Sequence, residues 1–325
     1  MPDRNEAMRA TLLAQDALVV ERKRARTDRV AHLTLVRPDG TRLPDWTPGA
    51  HIDLVLPDGT TRQYSLLGDP RDAERYEIAV LREPDGRGGS RFVHDVLAEG
   101  DRVGFGGPRN NFRLAPSPRY RFVAGGIGIT PIIPMLRAVT AFGAEWELLY
   151  LGRQRSTMPF VEDLVAEHGE RVQVRTSERG RIDVGAWLGE HHADLKAYTC
   201  GPGTLIDAVA RATAAWRPGW SRVERFAATE SADPARTTAF EVEVFGTGTV
   251  VTVEPGTPVA GALRQAGFDI LTSCSRGVCG TCETDVVDGE PDHRDAILDD
   301  GERAAGTCFF PCVSRSRSDR LVIAL

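Results

Sequence analysis

Five of the six cysteines fall after residue 270, and three of them, Cys274, Cys279 and Cys282, follow the spacing C-x4-C-x2-C inside SCSRGVCGTC. Three thiols at that spacing bind a [2Fe–2S] cluster when a fourth comes from a distant segment. Ser275, Gly277, Gly280 and Thr281 let the loop curl its N–H groups toward the cluster sulfurs, where they set the potential. Cys312 is the expected fourth ligand, with Cys308 as the nearby competitor. Structural zinc fits less well, because it favours paired C-x2-C knuckles and Cys308 and Cys312 are spaced C-x3-C.

A second set of residues can hold a nucleotide. Gly125, Gly126, Gly128, Thr130 and Pro131 lie in VAGGIGITP, between a strand and a helix. Glycines there admit close backbone approach, and the helix N-terminus offers donors to a pyrophosphate. Cys200, Gly201 and Pro202 follow another strand and open another helix, at the same edge of the expected sheet. Past the next strand, Arg153, Arg155 and Ser156 can meet a 2′-phosphate, and fit a solvated loop equally well.

A third set can hold a flavin. In Arg62, Gln63, Tyr64 and Ser65 an arginine can bind phosphate, a tyrosine can lie beside a ring and a hydroxyl can bond to ring nitrogens. Ala79 and Val80 follow, then Gly88, Gly89 and Ser90 in GRGGS, a further anion cradle or an ordinary turn.

These sets need scaffolds. Short β-type runs at 18–20, 32–36, 51–56, 76–81 and 102–105, with turn signals at Pro38-Asp39-Gly40, Pro57-Asp58-Gly59 and Pro84-Asp85-Gly86, predict a small antiparallel barrel. From 119 to 229 strands alternate with helices (131–142, 160–168 and the end of a strand-turn-helix at 197–215), which predicts a parallel sheet covered on both faces. Residues 227–237 have linker composition, and 238–325 form a third unit opening on a hairpin.

Composition bounds the rest. With 41% apolar and 26% charged residues the chain is an ordinary globular protein. A net charge of −6 with scattered arginines argues against nucleic acid, and no apolar run is long enough for a membrane. The first twenty residues lack an apolar signal core, so a cytoplasmic location is expected.

Together these motifs resemble the phthalate dioxygenase reductase-like family, from about residue 16 to 325. R-x-Y-S, PRNNF at 108–112, the paired GGIGITP and CGP turns, GE…DHRD…L at 289–298 and the C-terminal cysteine carry the likeness. The resemblance implies a multidomain chain. It would comprise a six-stranded antiparallel β-barrel for flavin (1–116), an α/β parallel-sheet nicotinamide domain (117–229), a linker (230–237) and an α+β β-grasp ferredoxin domain (238–325). It also implies FMN, NADH in preference to NADPH, Cys200 beside the nicotinamide and Phe226 against the flavin face. His293 and Asp295 are expected to hold a turn rather than bind the cluster. The implied activity is that of an oxygenase reductase, passing electrons from NADH through FMN and the cluster to a separate oxygenase, Rieske-type or haem. A stand-alone diaphorase with a small acceptor and a cluster-based redox sensor are the alternatives.

Overall fold

The computed structural model describes residues 17–56, 61–84, 86, 88–180, 182–227 and 233–325. The turn expected at Pro57-Asp58-Gly59, Asp85, Arg87 and linker residues 228–232 lie outside them. The chain divides between Glu224 and Arg225 into two units.

The first unit begins with strands β1 (Ala17–Thr27), β2 (Val30–Val36), β3 (His51–Val55), β4 (Thr61–Ser65) and β5 (Arg75–Leu81), helix α1 (Gly89–Asp95) and strand β6 (Arg102–Arg109). They form an antiparallel sheet ordered β4-β3-β6-β1-β2-β5. Leu66, just past β4, bridges Ile78 of β5, so the two edge strands approach each other. Alternate residues such as Leu33, Leu35, Ile52, Leu54, Ile78, Val80 and Phe105 fill the interior, as a two-residue period requires. β1 runs well beyond Val20 through ERKRART, a charged stretch with no apolar alternation. The hydrogen-bond ladder to β2 carries it to Thr27.

β7 (Arg119–Gly125), α2 (Ile132–Ala141), β8 (Glu145–Gly152), α3 (Val161–His168), β9 (Val172–Thr176), α4 (Val184–Leu188), β10 (Leu195–Cys200), α5 (Gly203–Ala212) and β11 (Ser221–Glu224) complete this unit. Its sheet is parallel, ordered β11-β10-β7-β8-β9. Phe122, Leu148, Tyr150 and Tyr198 bury one face under α2 and α3, while Val123, Leu149 and Ala197 bury the other under α4 and α5. Apolar side chains on both faces are what a doubly covered parallel sheet demands. Val30, Leu67, Ala79 and Phe112 from the antiparallel half join the core with α2, so the two sheets share one interior.

The second unit contains β12 (Phe240–Val244), β13 (Thr249–Val253), α6 (Val259–Gln265), β14 (Thr284–Asp288), β15 (Pro291–Asp292), α7 (Asp300–Ala305), β16 (Cys308–Phe309), β17 (Arg315–Ser316) and β18 (Arg320–Ala324). Its main sheet is ordered β13-β12-β18-β14-β16, with β12 and β18 parallel. No helix among the described residues is long and apolar enough to cross a membrane.

Candidate electron-transfer sites

Cys274, Cys279 and Cys282 lie without regular structure in the loop between α6 and β14, and Cys312 joins them from the turn between β16 and β17. Ser275, Gly277 and Gly280 take positive φ of 53°, 68° and 75°, which winds the chain tightly around the sulfurs. Gly277 also needs its missing side chain, because a Cβ there would stand 2.6 Å from Val313 Cγ2 and 2.9 Å from Asp295 Cα. Cys274, Cys279, Cys282 and Cys312 are all buried. Cys279 is a hydrogen-bond partner of Cys274, and Cys312 of Cys282. The Arg276 N–H donates to Cys274 Sγ at 3.3 Å. The bond from Cys279, with backbone donors at Val278 and Arg276, holds the Cys274 thiol well below its ordinary range against the opposing effect of burial. Four buried sulfurs with N–H groups aimed at them suit a cluster that needs thiolates and charge-compensating donors.

The turn after β15 braces this loop. Asp295, buried, accepts from the N–H groups of Ile297 (3.0 Å) and Leu298 (2.9 Å), and Ala296 N–H donates to Gly277 O at 2.9 Å. The expectation that Asp295 holds a turn agrees with these bonds. Cys308 lies in β16, half-buried and opposite Asp285.

At the carboxyl edge of the parallel sheet the strand order reverses between β7 and β10, where open α/β sheets bind ligands. Both expected turns meet there. A Cβ on Gly125 would lie 2.6 Å from Pro202 Cδ, one on Gly128 2.3 Å from the Cys200 carbonyl oxygen, and one on Gly201 3.0 Å from Gly125 Cα. These glycines therefore let two loops touch backbone to backbone. Gly126 alone combines positive φ (54°) with open space. Thr130 Oγ1 donates to Ile127 O at 3.0 Å, and Pro131 caps α2. Gly125, Gly126, Gly152, Arg153 and Pro202 line one cleft of about 700 Å³.

Cys200 is fully buried, and its thiol donates to Glu224 Oε2 at 3.7 Å. Burial, followed by the neighbouring carboxyl, pushes the thiol well above its ordinary value. Burial likewise raises the Glu224 carboxyl to about 8, less a small lowering by the Cys200 bond. Sequence reasoning did not single out Glu224. Its signal is visible solely once β10 and β11 pair Cys200 with Glu224. Phe226 lies beyond the division, in the second unit, with its ring exposed.

In the antiparallel sheet, β4 presents Arg62 to Ser65. Tyr64 is partly buried against the sheet core, and burial lifts its phenol to about 12 despite Arg62 nearby. Ser65 is buried, and its Oγ has no partner among the described residues. A buried hydroxyl without a partner is costly, so this one suits a ligand's polar edge. Asp53, which sequence reasoning missed, ties two motifs together. Its Oδ1 accepts from Gln63 Nε2 at 2.7 Å and its Oδ2 meets Arg109 Nη2 at 2.6 Å. Val80 lies in the sheet core with its carbonyl bonded to His94 Nε2 at 2.9 Å, and Ala79 lies in the interior shared by the two sheets. Gly88 takes φ 88° before α1, and Ser90 Oγ accepts from Glu83 N–H at 3.0 Å.

Two such sheets and a cysteine-loop module in one chain define a flavin- and nicotinamide-dependent reductase with an iron–sulfur domain. Residues 242–317 match the family described as a 2Fe-2S iron-sulfur cluster binding domain. The chain is 38% identical over 301 residues to phenoxybenzoate dioxygenase subunit beta of Ectopseudomonas oleovorans, covering 92% of this chain and 93% of that one. The solved phthalate dioxygenase reductase superposes with a TM-score of 0.69 at 34% identity, over 95% of this chain and 97% of that one. An intact type IV self-sufficient cytochrome P450 monooxygenase gives a TM-score of 0.89 at 40% identity. This chain matches over 95% of its own length and spans 41% of that longer protein. The chain belongs to the phthalate dioxygenase reductase-like family of iron–sulfur flavoprotein oxidoreductases. The solved phthalate dioxygenase reductase is described as a modular structure for electron transfer from pyridine nucleotides to [2Fe–2S].

Proposed function

We propose that this chain is the reductase component of a multicomponent oxygenase, taking electrons from NADH and delivering them to a separate terminal oxygenase, Rieske-type or haem. The observation that carries this reading is the buried thiol quartet in the same chain as the nucleotide cleft. A bound flavin would supply two-electron hydride acceptance and a bound cluster one-electron transfer, the chemistry that a nicotinamide donor and a one-electron acceptor require.

Residues 1–116 would be the flavin barrel, a reading that the Leu66–Ile78 bridge supports, and 117–229 the nicotinamide domain. Residues 230–237 would be the linker and 238–325 a β-grasp ferredoxin domain. In the barrel, Arg62 holds flavin phosphate, Tyr64 flanks the ring and Ser65 bonds to its polar edge. Gly88, Gly89 and Ser90 add backbone donors. Gly126 and Arg153 meet the dinucleotide, while Gly125, Gly128 and Gly201 bring the two turns together. Cys200 stands beside the nicotinamide. Cys274, Cys279, Cys282 and Cys312 hold the cluster. A cytoplasmic location goes with this role.

The test replaces Cys279 with serine. Dye reduction by NADH should persist while cytochrome c reduction collapses. Full-rate cytochrome c reduction would show that electrons leave the flavin directly.

A further inference from the structure

The outer end of the nucleotide cleft carries an unbalanced charge. Beyond the glycine turn at β7, a dinucleotide extends across the carboxyl ends of the next strands, β8 and β9. A site selective for NAD places a carboxylate about 20 residues past the glycine turn, on the ribose 2′-hydroxyl. Here β8 ends at Gly152 and continues into Arg153, and β9 ends in Arg175 and Thr176, in register with Leu151 and Gly152. Arg153, Arg175, Thr176 and Ser177 all line the cleft. Glu83, the carboxylate among the described lining residues, comes from the antiparallel half after β5.

The neighbouring charges are spoken for. Arg155 is held by both oxygens of Glu162, at 2.7 Å each, and Glu178 accepts from Gln154 Nε2 at 2.5 Å. Arg175 Nη1 donates to the Val174 carbonyl at 3.0 Å. Neither Arg153 nor Arg175 has a carboxylate partner among the described residues. Met158 fills the space beside Gly152, where a Cβ would meet its Cγ at 2.4 Å, and so fixes the turn that presents Arg153.

We propose that Arg153 and Arg175 form a clamp for the 2′-phosphate of NADPH, so that this chain accepts NADPH as well as NADH. The inference rests on the nicotinamide-site reading above. A phosphate monoester carries about two negative charges and three acceptor oxygens, which arginine forks match. Ser177 and Thr176 add hydroxyl donors. Of Arg153, Arg155 and Ser156, which the sequence offered for this purpose, Arg155 is locked by Glu162, and Arg175 takes its place beside Arg153.

The experiment titrates the holoprotein with adenosine 2′,5′-bisphosphate and with 5′-AMP by calorimetry, since the two differ only in the 2′-phosphate. The bisphosphate should bind about tenfold tighter or better, as charge-assisted bonds imply. That ratio should shrink with added salt, fall toward one in Arg175→Ala and Arg153→Ala, and recover in part in Arg175→Lys. Arg155→Ala should leave the ratio in place. Equal binding of the two ligands by the unaltered protein, or a ratio insensitive to Arg175 and Arg153, would overturn the clamp and leave the nicotinamide site standing. Binding of neither ligand would overturn both.

Discussion

Glu224 faces Cys200 across neighbouring parallel strands, with the fully buried thiol donating to its Oε2 at 3.7 Å. The carboxyl, raised by burial from an ordinary 4.5 to about 8, is neutral in the folded protein at neutral pH. A raised pKa contributes stability that is full below about 4.5 and is lost as pH climbs to about 8. Glu224→Gln removes that slope. The melting temperature of the variant relative to wild type should rise between pH 5 and pH 8 by about 2–4 °C or more. A constant difference across that range would mean that the folded protein holds Glu224 ionised.

Cys308 and Cys312 can be told apart by iron content. Burial, then the carboxylates of Glu283, Asp295, Asp285 and Glu302, push the Cys308 thiol up to about 11, which disfavours the thiolate a cluster needs. Cys308→Ser should keep its iron, sulfide and reduced-state EPR signal, whereas Cys312→Ser should lose most of all three. The opposite pattern would exchange their roles.

The two kinds of glycine in the nucleotide turn should respond differently to alanine. Gly128→Ala drives a methyl into the Cys200 carbonyl, a backbone atom that cannot swing aside, and should cost about 1–3 kcal/mol. Gly126→Ala meets open space and bears only the left-handed backbone, about 1 kcal/mol. Thermal melts followed by tryptophan fluorescence would rank them, and a larger loss in Gly126→Ala would contradict the loop contact.

Asp53→Ala should loosen flavin binding although Asp53 is expected to touch no flavin. It removes the carboxylate that Gln63 and Arg109 share, beside Tyr64 and Ser65, at a cost of about 1–3 kcal/mol in stability. Release of FMN, read by its fluorescence, should rise in this variant and in Ser65→Ala. Unchanged FMN retention with lowered stability would confine Asp53 to the scaffold.

What the sequence made legible was local in the chain. The cysteine spacing, the paired glycine turns and the alternation of strands with helices each lie within a few tens of residues, and their geometry follows from residue type. What it hid depends on pairing between distant strands. Asp53 joins motifs at 63 and 109, Glu224 meets Cys200 through a four-residue strand with no apolar alternation, and Arg155 is taken up by Glu162 in the first turn of α3. The helix over 184–188 also went unread, since five residues show too little periodicity.

The placement of β18 bears on how the iron–sulfur module is born. It comes last of the module's strands along the chain, yet it sits between β12 and β14 and joins them. While the ribosome is still translating this segment, the β12–β13 hairpin and β14 emerge with their inner edges bare, and the sheet cannot close. The four thiols are synthesised before that closing strand. The sheet beside the four thiols therefore closes only by pairing segments far apart in the chain, which makes its completion a slow, non-local step of folding.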